Sequence, residues 1–589
     1  MRPRRRKTRA VVAFLVGLVG TPALIYFSRA TNPGWRGEAR QAERSAPAVG
    51  EPQLDDGYSN IHATDYVGPE ACGECHVKQY DRWRSHPHSR MNQDPDAHAV
   101  LGDFSARTAT YGELQARFEQ RGDAYFMTFH RVDGPARVRR EFRVTRTVGS
   151  RFTQMYIGVQ TEGPEPADDP IYRVERKLPY GFWITRDRWL PANYFDTDFL
   201  PDYDGDGHNG DAVDRLFRGN RWERNCIYCH NTYPYTSRLH SGLENLVGFP
   251  PDDLHLRYDG GALSRDELKR RRRLQPDTLV TLGISCESCH FGGRIHAQDK
   301  DVLPRFLPSA PDLIFPAAAA KVVQNARETP YVIGSICAQC HAAEGVSLYP
   351  DGSATWNSRE APDLFGSACA SELTCTDCHD PHTPSPAGGS PDREAHVRVC
   401  TSCHDHYASE TQRQAHSKHG DAASCLDCHM PRRVQGLDAV IRTHRISSPT
   451  DPAMLGQAAP NACNLCHLER SIDWTLEALS EHWSPVTLPE GFEVAYGDRT
   501  RAMAQVWAQH EVPITRLVLT DALARGSQRE RALPMLVKLL DDPSPVNRMF
   551  ALFAVEGVLE RTLAAEEYEP TAPPARRGEQ VRRLETRLR

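Results

Sequence analysis

One short pattern occurs eight times along the 589-residue chain: two cysteines separated by two residues, with histidine in the next position. It uses 16 of the 17 cysteines. If histidines were placed at random, eight successes in eight would have a chance of about 10⁻¹¹, so the pattern reflects a repeated chemical requirement. The eight motifs, called sites 1 to 8 below, are Cys72/Cys75/His76, Cys226/Cys229/His230, Cys286/Cys289/His290, Cys337/Cys340/His341, Cys375/Cys378/His379, Cys400/Cys403/His404, Cys425/Cys428/His429 and Cys463/Cys466/His467.

This spacing is typical of covalent haem attachment. Two thiols bond the vinyl groups of one porphyrin, and the histidine that follows binds its iron as the proximal ligand. Zinc sites also use pairs of cysteines, but they do not require histidine after every pair. A disulfide framework does not require it either. The motifs therefore predict eight covalently bound haem c groups.

Eight cofactors leave little polypeptide for each. The motifs span residues 72–467, roughly fifty residues per haem, which is too few for a separate globular core around every cofactor. The porphyrins must then form much of the apolar interior and lie close together. We predict a mainly α, loop-rich multihaem cytochrome c fold packed around eight haems, in a domain over residues 66–475.

The sixth ligand of each iron decides what a haem can do. An iron with two histidine ligands is saturated and passes electrons, whereas an open sixth position can bind a small molecule and act on it. Of the 25 histidines, 17 lie outside the eight motifs. The sequence does not count open positions, but position along the chain favours seven histidines as distal ligands. They are His86, His88, His296, His382, His416, His419 and His444.

The N-terminus indicates export. A basic start, Met1 to Arg9, precedes an apolar run from Ala10 to Phe27. Residues 1–30 are therefore predicted to be a Sec-type signal peptide or an N-terminal membrane anchor, and both alternatives stay open. Either one places the haem sites in the periplasm or elsewhere outside the cytoplasm. Residues 31–65, rich in Pro, Gly, Ala and charge, are predicted to be a linker.

The stretch between sites 1 and 2 differs from the rest. Its β-branched and aromatic runs at 124–130, 138–145 and 152–159 predict antiparallel strands. We expect a small β subdomain here, within a β-rich insertion over 104–200.

An acidic turn follows this insertion. Carboxylates at alternate positions, with glycine between them, resemble the start of a calcium loop. Val213 stands where the acid of the twelfth position is expected, so an acidic surface turn is the alternative. The candidate calcium ligands are Asp202, Asp204, Asp206, Asn209 and Asp211.

Beyond site 8 the sequence becomes helical. Apolar-periodic stretches at 512–523, 532–540 and 546–559, with Pro-containing turns between helices, predict a HEAT-like helical segment over 500–565 that packs on the haem domain. The tail over 570–589 is rich in Pro and Arg and is expected to be disordered and basic.

Several stretches resemble the cytochrome c-554-like multihaem family, in particular its exported octahaem members that carry TPR or HEAT-type helical repeats at the C-terminus. The resemblance covers residues 65–475, in the same order. The stretches that carry it are Tyr66-Val-Gly-Pro-Glu-Ala-Cys-Gly-Glu-Cys-His with Trp83 and His86, Val100-Leu-Gly-Asp-Phe, Gly283-Ile-Ser-Cys-Glu-Ser-Cys-His, Cys375-Thr-Asp-Cys-His-Asp-Pro-His, Cys425-Leu-Asp-Cys-His-Met-Pro, Thr443-His-Arg-Ile-Ser-Ser-Pro and Pro460-Asn-Ala-Cys-Asn-Leu-Cys-His.

The resemblance implies a mostly α fold with two-histidine haems, used in periplasmic electron transfer. It implies distal ligands at His382 and His444, and at one of His86 or His88. Residues 363–369 and 160–215 depart from the family pattern, which leaves the ligands near site 4 open. The first of these stretches contains the seventeenth cysteine, Cys369, for which a buried thiol, a distal ligand and a link to another chain are the alternatives.

Two functions are therefore expected. The first is an electron carrier whose partners are redox proteins, either a quinol-oxidising membrane complex or other cytochromes. The second is an oxidoreductase with one open haem, acting on a small nitrogen or sulfur compound such as hydroxylamine, nitrite or tetrathionate. The formal charge of −6 disfavours nucleic acid as a partner.

Overall fold

The largest element is an antiparallel sheet of eight strands that lies between sites 1 and 2 in the sequence. Strands β2 to β8 are neighbours in chain order, and β1 pairs with β5. The strands of this sheet are β1 Asn92–Gln93, β2 Ser105–Tyr111, β3 Leu114–Arg121, β4 Ala124–Arg131, β5 Arg139–Val148, β6 Thr153–Glu162, β7 Arg176–Trp183 and β8 Arg188–Pro191. The computed structural model describes residues 57–112, 114–131, 139–195, 216–217, 219, 221–225, 227–240, 279–311, 330–343, 346–384 and 393–588.

Alternation along the strands gives the sheet one buried face. In β3, Leu114, Ala116 and Phe118 are buried while the residues between them are exposed, as expected for a half-buried strand. The indole of Trp189 on β8 stacks on Phe118 at 3.8 Å between ring centroids. Trp189 Nε1 also donates to the Asp103 carbonyl at 3.1 Å, just before β2, so the last strand returns towards the first.

The predicted strands β4, β5 and β6 are confirmed, and strands β2 to β8 all lie within the expected β-rich insertion over 104–200, but the sheet is larger than the small subdomain expected. The sheet is a major layer of the molecule, and "mainly α" describes the fold too narrowly. The reason lies in residues 105–121 and 176–191, where charged and apolar residues are mixed, so that their strand character is weak in the sequence and comes from pairing in the sheet.

Most helices outside the C-terminal part are short. Two further two-stranded sheets lie among the motifs, β9 Asn231–Thr232 with β10 Thr281–Leu282, and β11 Arg432–Gln435 with β12 Val440–Arg442. The helices are α1 Pro69–Gly73, α2 Val77–Arg84, α3 Trp222–Asn225, α4 Ile227–His230, α5 Tyr235–His240, α6 Glu287–His290, α7 Arg294–Gln298, α8 Pro330–Ala338, α9 Glu360–Phe365, α10 Arg393–Cys403, α11 Glu410–Ser417, α12 Cys425–His429, α13 Pro452–Gly456, α14 Ile472–His482, α15 Glu493–Tyr496, α16 Met503–Ala508, α17 Pro513–Arg525, α18 Arg529–Leu539, α19 Pro545–Leu559 and α20 Pro574–Arg587.

The C-terminal helices pack on the sheet. The three predicted apolar stretches form α17, α18 and α19, and α19 is buried along most of its length. Trp183 on β7 meets Phe553 on α19 edge to face at 4.8 Å. The Arg548 guanidinium donates to the Tyr194 hydroxyl at 2.9 Å. That these helices are HEAT-type repeats stays a prediction.

Two expected irregular segments are ordered in the structure. Within the expected linker, Asn60, Ile61 and Asp65 are buried, because Asn60 hydrogen-bonds the backbone around residue 307 and Asp65 accepts from Arg294 at 3.0 Å. The tail forms α20 instead of a disordered segment. Buried Val581 and Leu584, three residues apart, give that helix an apolar side against the core.

Other predictions fall elsewhere in the chain. The N-terminal signal or anchor, most of the linker and the whole candidate calcium loop lie outside the described residues. Within the part of the chain that the structure describes, no helix is long and apolar enough to cross a membrane.

Candidate haem sites

Each motif that the structure describes in full is held on about one turn of helix. At site 1 the His76 N–H donates to the Cys72 carbonyl at 2.9 Å. The same hydrogen bond, from the histidine to the first cysteine, occurs at sites 3, 4, 5, 6 and 8 with lengths of 2.9 to 3.0 Å. One turn brings the two thiols to one side, with the imidazole beside them, as haem attachment requires. Cys226 of site 2 lies outside the described residues.

The second cysteines of the motifs differ in how far the polypeptide encloses them. Cys75 of site 1 is exposed, whereas Cys229 of site 2 and Cys340 of site 4 are partly buried. Cys229 packs on a small apolar cluster around Trp222, and Cys340 acts electrostatically on Cys337 in its own motif. Cys378, Cys403 and Cys466, the second cysteines of sites 5, 6 and 8, are exposed as well. The bonds from all sixteen motif cysteines to porphyrins stay predictions that rest on the motif spacing.

Five proximal histidines face a second histidine ring across a nearly constant gap. The rings come from distant parts of the chain, yet their centroids are 6.0 to 6.3 Å apart. The pairs are His76 with His296 (6.0 Å), His290 with His382 (6.2 Å), His379 with His444 (6.2 Å), His429 with His416 (6.3 Å) and His467 with His419 (6.1 Å).

This gap has the size of one metal ion between two imidazoles. An imidazole nitrogen binds a transition metal at about 2 Å, so two rings on opposite sides of one iron have centroids about 6 Å apart. Within the described ranges, no three His, Cys, Asp or Glu side chains are grouped closely enough to hold a bare metal ion. A haem iron requires only two ligands from the protein. The five gaps, together with the thiols beside them, therefore fit haem with two axial histidines.

Site 6 departs from the five paired sites. The His404 N–H donates to the Cys400 carbonyl at 3.0 Å, so the motif has the expected turn. The His404 side chain is exposed, however, and lies just before the short turn Asp405–Tyr407. Among the residues that the structure describes, no second histidine ring faces either His404 or the His341 ring of site 4. Two histidine ligands at sites 4 and 6 are therefore not confirmed and stay predictions.

The facing histidine never belongs to the motif that precedes it. His296 follows site 3 in the sequence but faces His76 of site 1, and His382 follows site 5 but faces His290 of site 3. Burial lowers the pKa of His290 to about 4, with smaller contributions from His382 and His76. A neutral imidazole has the free lone pair that a metal ligand needs.

His86 and His88 behave differently from these five. Their rings lie 4.6 Å from each other, and the His88 N–H donates to His86 Nδ1 at 3.1 Å. Burial, with help from His86, lowers the pKa of His88 to about 3. Among the described residues neither ring is stacked against a proximal histidine, so their role as distal ligands stays a prediction.

Site 2 has an enclosed proximal histidine. Burial lowers the pKa of His230 to about 4. Its Nδ1 is buried and has no hydrogen-bond partner among the described residues. The indole of Trp222 lies 6.5 Å from this imidazole between ring centroids and is tilted by 53°. In the described part of the chain no histidine ring faces this imidazole.

The first cysteines of different motifs lie close to one another. The Cys72 thiol of site 1 is a near neighbour of the Cys286 thiol of site 3, and each shifts the pKa of the other. The corresponding thiols of sites 4 and 5, Cys337 and Cys375, do the same. Those of sites 6 and 7 form the third pair, Cys400 with Cys425. Porphyrins bonded to these thiols would therefore be immediate neighbours in the pairs 1/3, 4/5 and 6/7.

Weaker electrostatic interactions connect the three pairs. Cys289 of site 3 acts on Cys337 of site 4, and Cys378 of site 5 acts on Cys400 of site 6. Cys463 of site 8 acts on Cys428 of site 7. The attachment sites thus follow one another in space as 1–3–4–5–6–7–8.

Site 2 joins this order beside site 3. Thr232, two residues after His230, shares a hydrogen bond of 2.9 Å with Ser288, which lies between the two cysteines of site 3. The Thr232 hydroxyl also donates to the Gly283 carbonyl, just before site 3, at 3.0 Å. These two hydrogen bonds place site 2 next to site 3.

A buried carboxylate fastens sites 1 and 3 together. Glu287, inside the motif of site 3, is 2% exposed. It accepts the N–H groups of Val67 and Gly68, which precede α1, at 3.0 and 2.9 Å. It also accepts the Gly293 N–H at 2.8 Å, where α7 with His296 begins. One side chain, which no sequence pattern singles out, therefore positions both ligand helices of site 1.

Site 4 has a charged partner for its proximal histidine. His341 Nδ1 lies 2.9 Å from Glu360 Oε2. Burial alone would lower the pKa of His341, but the Glu360 hydrogen bond and charge outweigh it and raise that pKa to about 9. Cys369, the seventeenth cysteine, is a half-buried thiol whose pKa burial raises, and it interacts electrostatically with Cys400 and Cys403 of site 6.

Comparisons with known proteins give little beyond this. No family model matches the chain, and no curated protein matches it. Among solved structures, the outer cell wall cytochrome OcwA matches with 14% identity over 89% of this chain and 98% of that chain, at a TM-score of 0.37. The octaheme sulfite reductase MccA of Wolinella succinogenes matches with 12% identity over 94% of this chain and 88% of that chain, at a TM-score of 0.28. Both scores are below 0.5, so neither likeness defines the fold or the function of this chain.

Proposed function

We propose that this protein is an octahaem c-type cytochrome of the periplasm or cell exterior that carries electrons between redox partners. The observation that carries the proposal is the set of five histidine pairs at 6.0 to 6.3 Å, each beside a pair of motif cysteines. Haem, when bound, supplies one-electron redox chemistry. The protein supplies the thiols, the axial imidazoles and the spacing.

The order of the sites supports transport rather than storage. The neighbouring thiols at 1/3, 4/5 and 6/7 and the electrostatic links between these pairs form one row from site 1 to site 8, from which site 2 branches beside site 3. Sites with two histidine ligands leave no position for a substrate. A row of such sites suits a protein that accepts an electron at one end and donates it at the other, to a quinol-oxidising membrane complex, another cytochrome or a similar partner.

The proposal is tested on full-length protein made in a host that attaches haem c. Pyridine haemochrome absorbance and intact mass should give eight haems per chain. Rapid mixing with a reduced small cytochrome should reduce all eight within one kinetic experiment. A colourless chain, or a mass without added tetrapyrrole, would refute the function outright.

One observation favours the alternative, an oxidoreductase with an open haem at site 2. His230 is enclosed, and no described histidine faces it, while Trp222 and the buried Tyr233 lie close by. Low-temperature EPR with added hydroxylamine, nitrite, sulfite or tetrathionate separates the two functions. A high-spin signal that changes with one of these compounds supports the enzyme, and eight low-spin haems with no response support the carrier.

We also propose, from sequence patterns alone, that Asp202 to Asp211 bind calcium and that residues 1–30 attach the chain to a membrane. Isothermal titration with calcium and the mass of the mature N-terminus test them separately.

A further inference from the structure

The site 4 histidine is held by its neighbours at three points. Glu360 begins α9, and its Oε2 lies 2.9 Å from His341 Nδ1. The Ala361 N–H donates to the His341 carbonyl at 3.1 Å. The Ala343 N–H donates to the Ser358 carbonyl at 2.7 Å, which joins the same two segments. The ring and the carboxylate therefore cannot turn independently.

The carboxylate itself is also fixed. Its second oxygen, Glu360 Oε1, accepts the Ser358 N–H at 2.9 Å. A carboxylate only accepts hydrogen bonds, so the proton between the two groups belongs to His341 Nδ1. The lone pair of the other ring nitrogen, Nε2, is then directed away from Glu360 and is free to bind a metal.

Two other proximal histidines have weaker Nδ1 partners. His429 Nδ1 meets the neutral Ser447 carbonyl at 2.9 Å. His467 Nδ1 lies 4.0 Å from Glu469, which is beyond hydrogen-bond distance and whose side chain is 67% exposed. Site 4 thus combines a hydrogen bond with a formal negative charge, on a Glu360 side chain that is 22% exposed beside a His341 side chain that is 46% exposed.

A carboxylate on Nδ1 makes an imidazole a stronger donor to its metal. The negative charge also favours the oxidised, more positive iron, and second-shell hydrogen bonds are one of the means by which proteins set haem potentials. We infer that Glu360 is a positioning residue that lowers the reduction potential of the haem at site 4. The inference rests on the proposed function, because it requires haem at this site.

The effect extends weakly to site 5. Glu360 also interacts electrostatically with His444, which faces His379 of that site. Because the Cys337 and Cys375 thiols lie close to each other, sites 4 and 5 are neighbours, and the carboxylate interacts with histidines of both. Glu360 is therefore expected to lower the potential of site 4 more than that of site 5.

The test is the Glu360→Gln variant of the full haem-loaded chain. Glutamine keeps a hydrogen-bond acceptor for Nδ1–H but removes the charge. Spectroelectrochemical titration should show one of eight one-electron transitions moving to higher potential, a second moving less, and six unchanged, with the haem count still eight. Eight unmoved transitions would overturn the inference.

A matched control and a second variant complete the design. Glu469→Gln removes an exposed carboxylate near His467 that makes no hydrogen bond to it, and should leave all eight transitions in place. Glu360→Asp keeps the charge but withdraws it from Nδ1, and should shift the same transition upward by less than glutamine does. If Glu360→Gln fails to hold its haem, the aspartate variant decides: no shift there overturns the inference. Wild-type protein without eight haems would instead refute the proposed function.

Discussion

Removing one facing histidine should open one iron and only one. His416 is the best-placed example, because its ring lies 6.3 Å from His429 and only 4° from parallel. In a His416→Ala variant, the iron of site 7 keeps His429 but loses the imidazole on the other side. Alanine leaves space for water or a small anion in its place.

The expected size follows from the number of sites. One of eight haems should change from low to high spin, so the low-spin EPR intensity should fall by about one-eighth while the haem content stays at eight. The variant should bind about one equivalent of cyanide or carbon monoxide more than the wild type. Unfolding should begin at a lower temperature, since one bond to iron is gone.

His406 provides the matched control. It lies ten residues before His416, and its ring contacts Tyr407 at 5.0 Å rather than a proximal histidine. His406→Ala should leave the EPR spectrum and the cyanide stoichiometry as in the wild type. An unchanged low-spin signal in His416→Ala, or an equal loss in His406→Ala, would refute the assignment of distal ligands from ring geometry.

Three further predictions concern stability. The Arg433 guanidinium is 4% exposed and lies 2.5 Å from Asp351 Oδ2. Asp351→Asn leaves this buried charge without its countercharge, so the free energy of unfolding measured by denaturant titration should fall by about 3 kcal/mol or more. The buried Arg548 guanidinium donates to the Tyr194 hydroxyl and, at 3.3 Å, to the Pro570 carbonyl. Arg548→Met removes both hydrogen bonds and should lower the free energy of unfolding by about 3 kcal/mol. The variant should show a lower melting temperature and faster proteolysis around α19. Burial raises the pKa of Asp363 to about 6 from an ordinary value of 3.8, so the folded state binds this proton more tightly than the unfolded state and stability falls as pH rises from 4 to 6. Asp363→Asn should abolish that fall and should raise the free energy of unfolding at pH 7 by up to about 3 kcal/mol. A melting temperature that declines equally in the wild type and the variant between pH 4 and 6 would contradict this prediction.

The motifs are local, and the sequence therefore predicts them completely. A C-x-x-C-H segment is short enough to form one turn of helix, as the His76 to Cys72 hydrogen bond shows, and that turn is what attachment of one porphyrin would require. The facing histidines are not local. The sequence singles out His296 because it follows site 3. It does not predict that His296 faces His76, which lies 220 residues earlier in the chain. A histidine just beyond one motif therefore faces the proximal histidine of a different motif, as His382 after site 5 faces His290 of site 3.

Other features depend on tertiary contacts that no pattern displays. In the sequence, Glu287 and Glu360 look like ordinary acidic residues. Their hydrogen bonds, from the Val67 N–H to Glu287 and between His341 Nδ1 and Glu360, are visible only in the folded chain. The strands β2, β7 and β8 are hard to predict because partner strands, not their own composition, define them. The arginine-rich tail indicates disorder by composition, yet Val581 and Leu584 are enough to dock α20.

The thiol contacts between motifs also constrain how the protein is made. Cys72 with Cys286, Cys337 with Cys375, and Cys400 with Cys425 lie close enough to pair. In an oxidising compartment, a chain that packed first would cross-link these residues as disulfides and consume the sulfur that the vinyl groups need. If the motifs carry haem, attachment is therefore expected to precede compaction of the polypeptide.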